Sequence, residues 1–200
     1  MALRITGLVT LAAALVLLVV AVPANAKAPG TVGVSGHSTT NDAGTPADTS
    51  DDYNDLSGSL IGQQYTTSGD FRYDPLTGTV IAWGTELFVG CLDQNRNHSC
   101  GGADPSGTIS FSFIYWAQLD PETFALRSGG CVHPVAAGTD GFEGVTGTLV
   151  MNDKVKGNGD VVTTYVGKLN LVPQALTTQR VPKIAPASAR PTVKGHGVSC

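Results

Sequence analysis

Residues 108–119, TISFSFIYWAQL, set Ile109, Phe111, Phe113, Tyr115, Ala117 and Leu119 on one parity and Ser110, Ser112 and Gln118 on the other. Side chains of a strand point alternately to opposite faces, so this pattern predicts a strand with one face against a core and one against solvent. A helix would mix the two sets on every face. The same period of two recurs in residues 79–91. There Ile81, Trp83, Leu87 and Val89 oppose Ala82, Gly84, Glu86 and Phe88, so both faces carry bulk and Glu86 is the odd member. Residues 161–171 put Val161, Tyr165, Leu169 and Leu171 on one face. A shorter strand over 145–151 precedes them across the turn formed by residues 157–160, GNGD.

Three Asp-Pro steps, Asp74-Pro75, Asp104-Pro105 and Asp120-Pro121, punctuate these runs. Asp caps a turn with its own backbone and Pro presets the dihedral that follows. No window of helical length carries apolar residues at three-four spacing with caps at both ends. The middle of the chain is therefore read as six or more strands joined mainly by hairpins. A sheet of that length removes its edges by closing or by folding into a sandwich, and a barrel is the expected form. The fold class is all-β and antiparallel.

The ends differ from this middle. Arg4, an uncharged run over residues 5–22, Pro23 and the small residues Ala24-Asn25-Ala26 read as a signal peptide, 1–26, cut after Ala26. An uncleaved anchor is the rival reading, since the run approaches the roughly 20 residues that span a bilayer. Residues 27–57 are rich in Gly, Ser, Thr, Pro and Asp and read as a low-complexity linker. The barrel domain is expected over 58–172. Residues 173–200 carry Pro182, Pro186, Pro191, Arg180, Lys183, Arg190 and Lys194 without an acid, and read as an extended basic tail available for a cell-envelope contact. Loss of the leader removes only Arg4 from 12 basic and 16 acidic residues, moving the net charge from -4 to -5. A nucleic-acid binder would show a basic face, so that class is set aside.

Four cysteines, Cys91, Cys100, Cys131 and Cys200, follow the leader. An even number in an exported chain predicts two disulfides, with three pairings open. Cys91 with Cys100 closes a loop directly after a strand, and Cys131 with Cys200 would tie the tail to the barrel. A free Cys200 linking two chains is the alternative. The loop between the first pair sets Asp93, Asn95, Asn97, Ser99 and Asp104 at the alternation of a calcium loop. His98 stands where such a loop requires Gly, and Asp104 where it requires a bidentate Glu. Asn and Asp also form turns by bonding their own backbone, so the loop is taken as a stapled turn, with calcium the alternative and no cofactor expected. Zinc held by His98, Cys100, Cys131 and His133 matches no compact spacing. Asn97-His98-Ser99 is a glycosylation sequon, which marks an exposed loop.

Residues 135–149, VAAGTDGFEGVTGTL, resemble the signature of the allene oxide cyclase barrel and dirigent superfamily, in which a Gly-Gly-Thr-Gly-x-Phe-x-Gly-Ala-x-Gly run turns between two strands. Gly138, Thr139, Phe142, Gly144 and Gly147 match; Ala137, Asp140 and Val145 depart. Residues 84–90 and 107–111 look like the strands before that run. The resemblance implies an antiparallel barrel of about eight strands, Phe142 plugging one end, and a lumen for one small apolar molecule. It also implies, as an activity, guided coupling or cyclisation of a small apolar substrate. Its polar residues do not align one by one. Tyr73, Glu86 and His133 are the candidate catalytic groups, with Arg72, Asp140 and Glu143 the other ionisable residues in or beside strands. No G-x-S-x-G, H-E-x-x-H or phosphate-cradling glycine loop occurs. The leading functional expectation is a secreted, non-catalytic protein that binds a small molecule or contacts a surface. A dirigent-like or cyclase-like enzyme is the alternative.

Overall fold

The structure, a computed structural model, describes residues 30–45 and 51–172. Eight antiparallel strands, β1 (Gly30–Asn41), β2 (Tyr53–Gly58), β3 (Leu60–Asp74), β4 (Thr79–Leu92), β5 (Ser106–Leu119), β6 (Leu126–Gly138), β7 (Thr146–Val155) and β8 (Val161–Leu171), close into a barrel in chain order. One short 3-10 turn, Asp140–Phe142, lies between β6 and β7. Each strand is hydrogen-bonded to a neighbour on both sides, although β2 and β3 pair only from Asn54 opposite Gln64 to Leu56 opposite Gly62, so closure removes the edges a flat sheet would leave.

The alternation read from the sequence is the alternation of the barrel wall. On β5, Ile109, Phe111, Phe113, Tyr115 and Ala117 are buried inside. On β4, Ala82, Glu86 and Phe88 point in, while Ile81 and Trp83 are exposed outside. Phe142, Leu149, Met151, Tyr165 and Leu169 complete a continuous core. The interior of an eight-stranded barrel is just wide enough for side chains to fill.

The barrel begins at residue 30, not 58, which corrects the assignment of 27–57 to a linker. β1 pairs with β8 from Gly30 opposite Leu171 to Ser38 opposite Thr163, and with β2 from Gly36 opposite Gly58 to Asn41 opposite Tyr53. Composition concealed both strands because their inward positions are mostly small or polar: Val32, Val34, Gly36 and Ser38 on β1, Asn54 and Leu56 on β2. A strand with a ladder on each side needs few large side chains of its own. The expected leader and the basic tail, 1–26 and 173–200, lie outside the described residues.

The small residues at this seam make room for Tyr165. A Cβ on Gly36 would sit 2.5 Å from the Tyr165 hydroxyl. That hydroxyl accepts the Leu60 amide at 2.8 Å and lies 3.1 Å from the Ser57 carbonyl, so β8 is pinned to the β2–β3 connection. Burial raises the Tyr165 hydroxyl from 10.0 to about 12, against the Leu60 hydrogen bond, which lowers it. The unfolded chain ionises near 10 and the folded one near 12, so this stabilisation is fully present below about pH 10 and is lost as pH rises through about 12. Burial and the neighbouring Asp153 push Tyr115 the same way. We expect urea midpoints to fall steeply above pH 10, and Tyr165→Phe to flatten that fall. An unchanged slope would remove Tyr165 from the account.

Cys91 and Cys100 form the expected disulfide, with Cα atoms 5.8 Å apart. The Leu92 amide donates to the Pro105 carbonyl and the Asp93 amide to the Ser59 carbonyl, both at about 2.8–2.9 Å, which anchors the loop base. Closing a loop of about ten residues restricts the unfolded chain by about 2–3 kcal/mol in the chain-entropy account. Cys91→Ala with Cys100→Ala should lower unfolding stability by that amount in urea titrations while leaving the far-ultraviolet spectrum of the barrel intact. A loss under about 0.5 kcal/mol would mean the loop is held by its hydrogen bonds alone.

Candidate functional site

Alternation on β3 turns Leu60, Gly62 and Gln64 inward, alternation on β4 does the same for Glu86, and on β6 for Cys131 and His133. Glu86 lies opposite Phe111 across the β4–β5 ladder, and an irregularity in the β5–β6 ladder between Ser110 and Phe111 adjusts the next register. His133 thereby arrives beside Glu86, with Nε2 2.9 Å from Glu86 Oε2. Gln64 donates its amide N–H to the same oxygen. The rings of Phe111 and Phe113 flank the imidazole at 6.0 and 6.2 Å.

Gln64, Glu86 and His133 are at most 2% exposed. The His133 to Glu86 approach has the distance of an ion pair without the direction of a hydrogen bond. Both His133 nitrogens, Glu86 Oε1 and Gln64 Oε1 accordingly have no hydrogen-bond partner among the described residues. Such atoms cost about 1–3 kcal/mol each when left without a partner in a core. Chemically, the carboxylate and imidazole could exchange a proton with a group brought to Oε1 or Nδ1, and Gln64 would orient the carboxylate. That chemistry requires access, since these atoms have almost no exposed surface.

The other sequence candidates are elsewhere. Tyr73 lies opposite Val80, six residues along β4 from Glu86 and so roughly 20 Å away at the rise of a strand; its ring packs on Phe124 at 5.9 Å. It does not join Glu86 and His133. Arg72 points outward over the Trp83 ring at 5.9 Å, and Asp140 and Glu143 are exposed beside the 3-10 turn. Gln64 was not singled out by sequence, although it shares the parity of Leu60.

In the glycine-rich segment, Phe142 is fully buried against Phe88, ring centroids 6.3 Å apart. Gly147 has φ +143°, and a Cβ there would meet the Lys168 carbonyl at 2.1 Å. Asp140, which departs from the motif, adopts φ +52°, a left-handed position Asp tolerates better than most residues.

In the stapled loop, Asp93 accepts the amides of Asn97 and His98, and Asp104 those of Gln94 and Gly101. Asn95 accepts from Asn97, and Asn97 from Ser99. Desolvation raises the Asp93 carboxyl, and the amides of His98, Asn97 and Arg96 more than offset it, leaving it below the usual carboxylate value. The oxygens proposed for calcium are thus the acceptors that shape the turn. Among the described residues no cluster of three or more His, Cys, Asp or Glu could hold a metal. Cys131 is buried on the inner face, two residues from His133, and is not a free thiol; its expected partner Cys200 lies outside the described residues.

Comparison of the chain with family models, curated proteins and solved structures finds no match.

Proposed function

We propose that the chain is an exported, non-catalytic barrel that acts through its outer surface, its lumen serving as core. The carrying observation is the enclosure of the most polar group of the interior: Glu86, His133 and Gln64 are sealed among Phe111, Phe113 and their neighbours. A ligand pocket of ordinary kind keeps its few polar groups facing open volume. Export is supported by the leader-like residues 1–26 and by a disulfide of the kind that persists in oxidising compartments. The basic residues of 173–200 would supply a contact to a polyanionic envelope.

Native mass spectrometry of the protein recovered from its exporting host tests this. The expected mass is that of the oxidised polypeptide with no small organic molecule, and a copurifying molecule released on unfolding would overturn the reading. Deleting 173–200 should abolish retention on purified cell wall; retention without the tail would remove the tail from the proposal.

A second reading rests on the orphaned Glu86 Oε1 and His133 Nδ1. The resemblance to the allene oxide cyclase barrel and dirigent superfamily suggests a lumen that opens to a small apolar substrate, and these two atoms would then handle its proton. Bound substrate together with loss of turnover in Glu86→Gln, at unchanged stability, would favour this enzyme over the surface protein.

A further inference from the structure

One seam of the barrel is only partly closed. β3 pairs with β4 along its whole length, from Leu60 opposite Leu92 to Asp74 opposite Thr79, whereas its ladder with β2 stops at Gln64 opposite Asn54. Beyond the irregularity between Thr66 and Ser68, no described strand pairs with Ser68–Asp74 on the side away from β4. The segment is correspondingly open, with every residue from Ser68 to Arg72 exposed. Phe71, opposite Ala82, shares the inward parity of Tyr73 and is still 46% exposed.

On an antiparallel strand, alternate residues direct both N–H and C=O toward the same neighbour. The Phe71 amide donates to the carboxylate of its own neighbour Asp70 at 2.8 Å. This marks Gly69, Phe71 and Tyr73 as the residues whose backbone groups face the open side. Such a row is a template for one more strand.

The sequence of this edge is complementary to itself. An antiparallel second copy, related by a two-fold axis at Phe71, sets Asp70 opposite Arg72 of the second copy and Gly69 opposite its Tyr73. Each opposition then occurs twice, as an isologous contact requires. Asp70 and Arg72 both project outward, beside Trp83 and Ile81 of β4, so the opposed charges share one face. They also fall at non-hydrogen-bonded positions, where facing side chains come closest. On the other face the Tyr73 ring covers a glycine, a pairing that compensates for the missing side chain. Moving the axis to Asp70 or to Arg72 would set like charges opposite each other. In the single chain Arg72 lies over the Trp83 ring at 5.9 Å, an exposed contact of the weaker kind, and its long side chain can turn from there to Asp70 of the second copy.

We propose that two copies of this chain associate edge to edge through Ser68–Asp74, continuing the β3–β4–β5 wall of one barrel into that of the other. The pairing goes beyond the outward-acting reading and stands whether or not the lumen holds a ligand. A contact of one short strand is small, so a dissociation constant of about 10–100 µM is expected.

Sedimentation velocity of the full exported protein between about 1 and 500 µM tests this range. Asp70→Arg alone and Arg72→Asp alone each set like charges opposite each other, and each should weaken association at least tenfold with an unchanged circular dichroism melt. The double exchange, Asp70→Arg with Arg72→Asp, should restore it. Most telling is an equal mixture of the two single variants, which should pair with one another because each then offers the other the opposite charge. Backbone amides of Gly69, Phe71 and Tyr73 should gain protection from hydrogen exchange as the protein is concentrated. A monomer at about 500 µM, single variants that associate like the parent, or a mixture that does not pair would overturn the proposal. So would protection of these amides at 1 µM that disappears on deleting 173–200, which would assign the edge to the chain's own tail.

Discussion

Glu86→Ala is expected to destabilise the barrel by about 3–5 kcal/mol, the usual effect of removing one member of a buried pair. The change strips His133 of its acidic neighbour and Gln64 of its acceptor in a region no solvent reaches. It also opens a cavity where a long side chain stood. The informative comparison is the triple replacement Glu86→Leu, His133→Leu, Gln64→Leu, which removes every polar member and keeps the volume near its original value. Buried pairs exchanged for well-packed apolar groups are often neutral or stabilising by about 1–4 kcal/mol, so the triple variant should recover to within about 1 kcal/mol of the parent or exceed it. Urea unfolding of the oxidised proteins reads both numbers. A single variant that loses under 1 kcal/mol would show that water or rearrangement relieves the site. A triple variant as poor as the single would show that the cluster holds the fold together and was not kept at its expense.

That cluster was only partly legible in the sequence, for a geometric reason. Parity along one strand tells which way a side chain points, and it placed Glu86 opposite in sense to Ile81 and Trp83, as the barrel has it. Which inward residues meet depends on register between strands, and register is altered by irregularities such as the one at Ser110/Phe111. Glu86 and His133 are 47 positions apart and separated by β5, so their contact could not be read from spacing. The same limit explains Tyr73, which faces inward like Glu86 but far along the wall.

β1 and β2 failed to appear for a different reason. Composition signals burial of side chains, whereas these strands are held by ladders on both sides and by the hydroxyl of Tyr165 reaching across to Leu60. The loop at 91–100 illustrates a third case. Oxygens at alternate positions suit a cation or a turn equally well in sequence; in the structure the Asp93 and Asp104 carboxylates accept the amides of His98 and Gly101 and so shape the turn.

Phe142→Ala should rank with Glu86→Ala, at a loss of about 3–5 kcal/mol, and Phe124→Ala supplies its control. Both phenylalanines lie in connections between strands, and neither belongs to an alternating run. Phe142 is fully buried, edge-on to Phe88, and its amide and carbonyl close the 3-10 turn by bonding Thr139 and Val145. Phe124 is 61% exposed and touches only the rim through Tyr73, so its removal should stay under about 1 kcal/mol. The difference isolates the contribution of a plug at one end of the barrel from that of an aromatic residue in a turn. It also bears on the lumen. With Phe142 gone, the chain has a void beneath Phe88 and Val145 lined by apolar groups, which a small apolar probe such as benzene or xenon could enter. A thermal melt of Phe142→Ala raised by benzene, with the parent unaffected, would identify this ring as what keeps the barrel closed. If the parent is stabilised by benzene as well, its lumen already admits small molecules, and the enzyme reading gains at the expense of the surface protein.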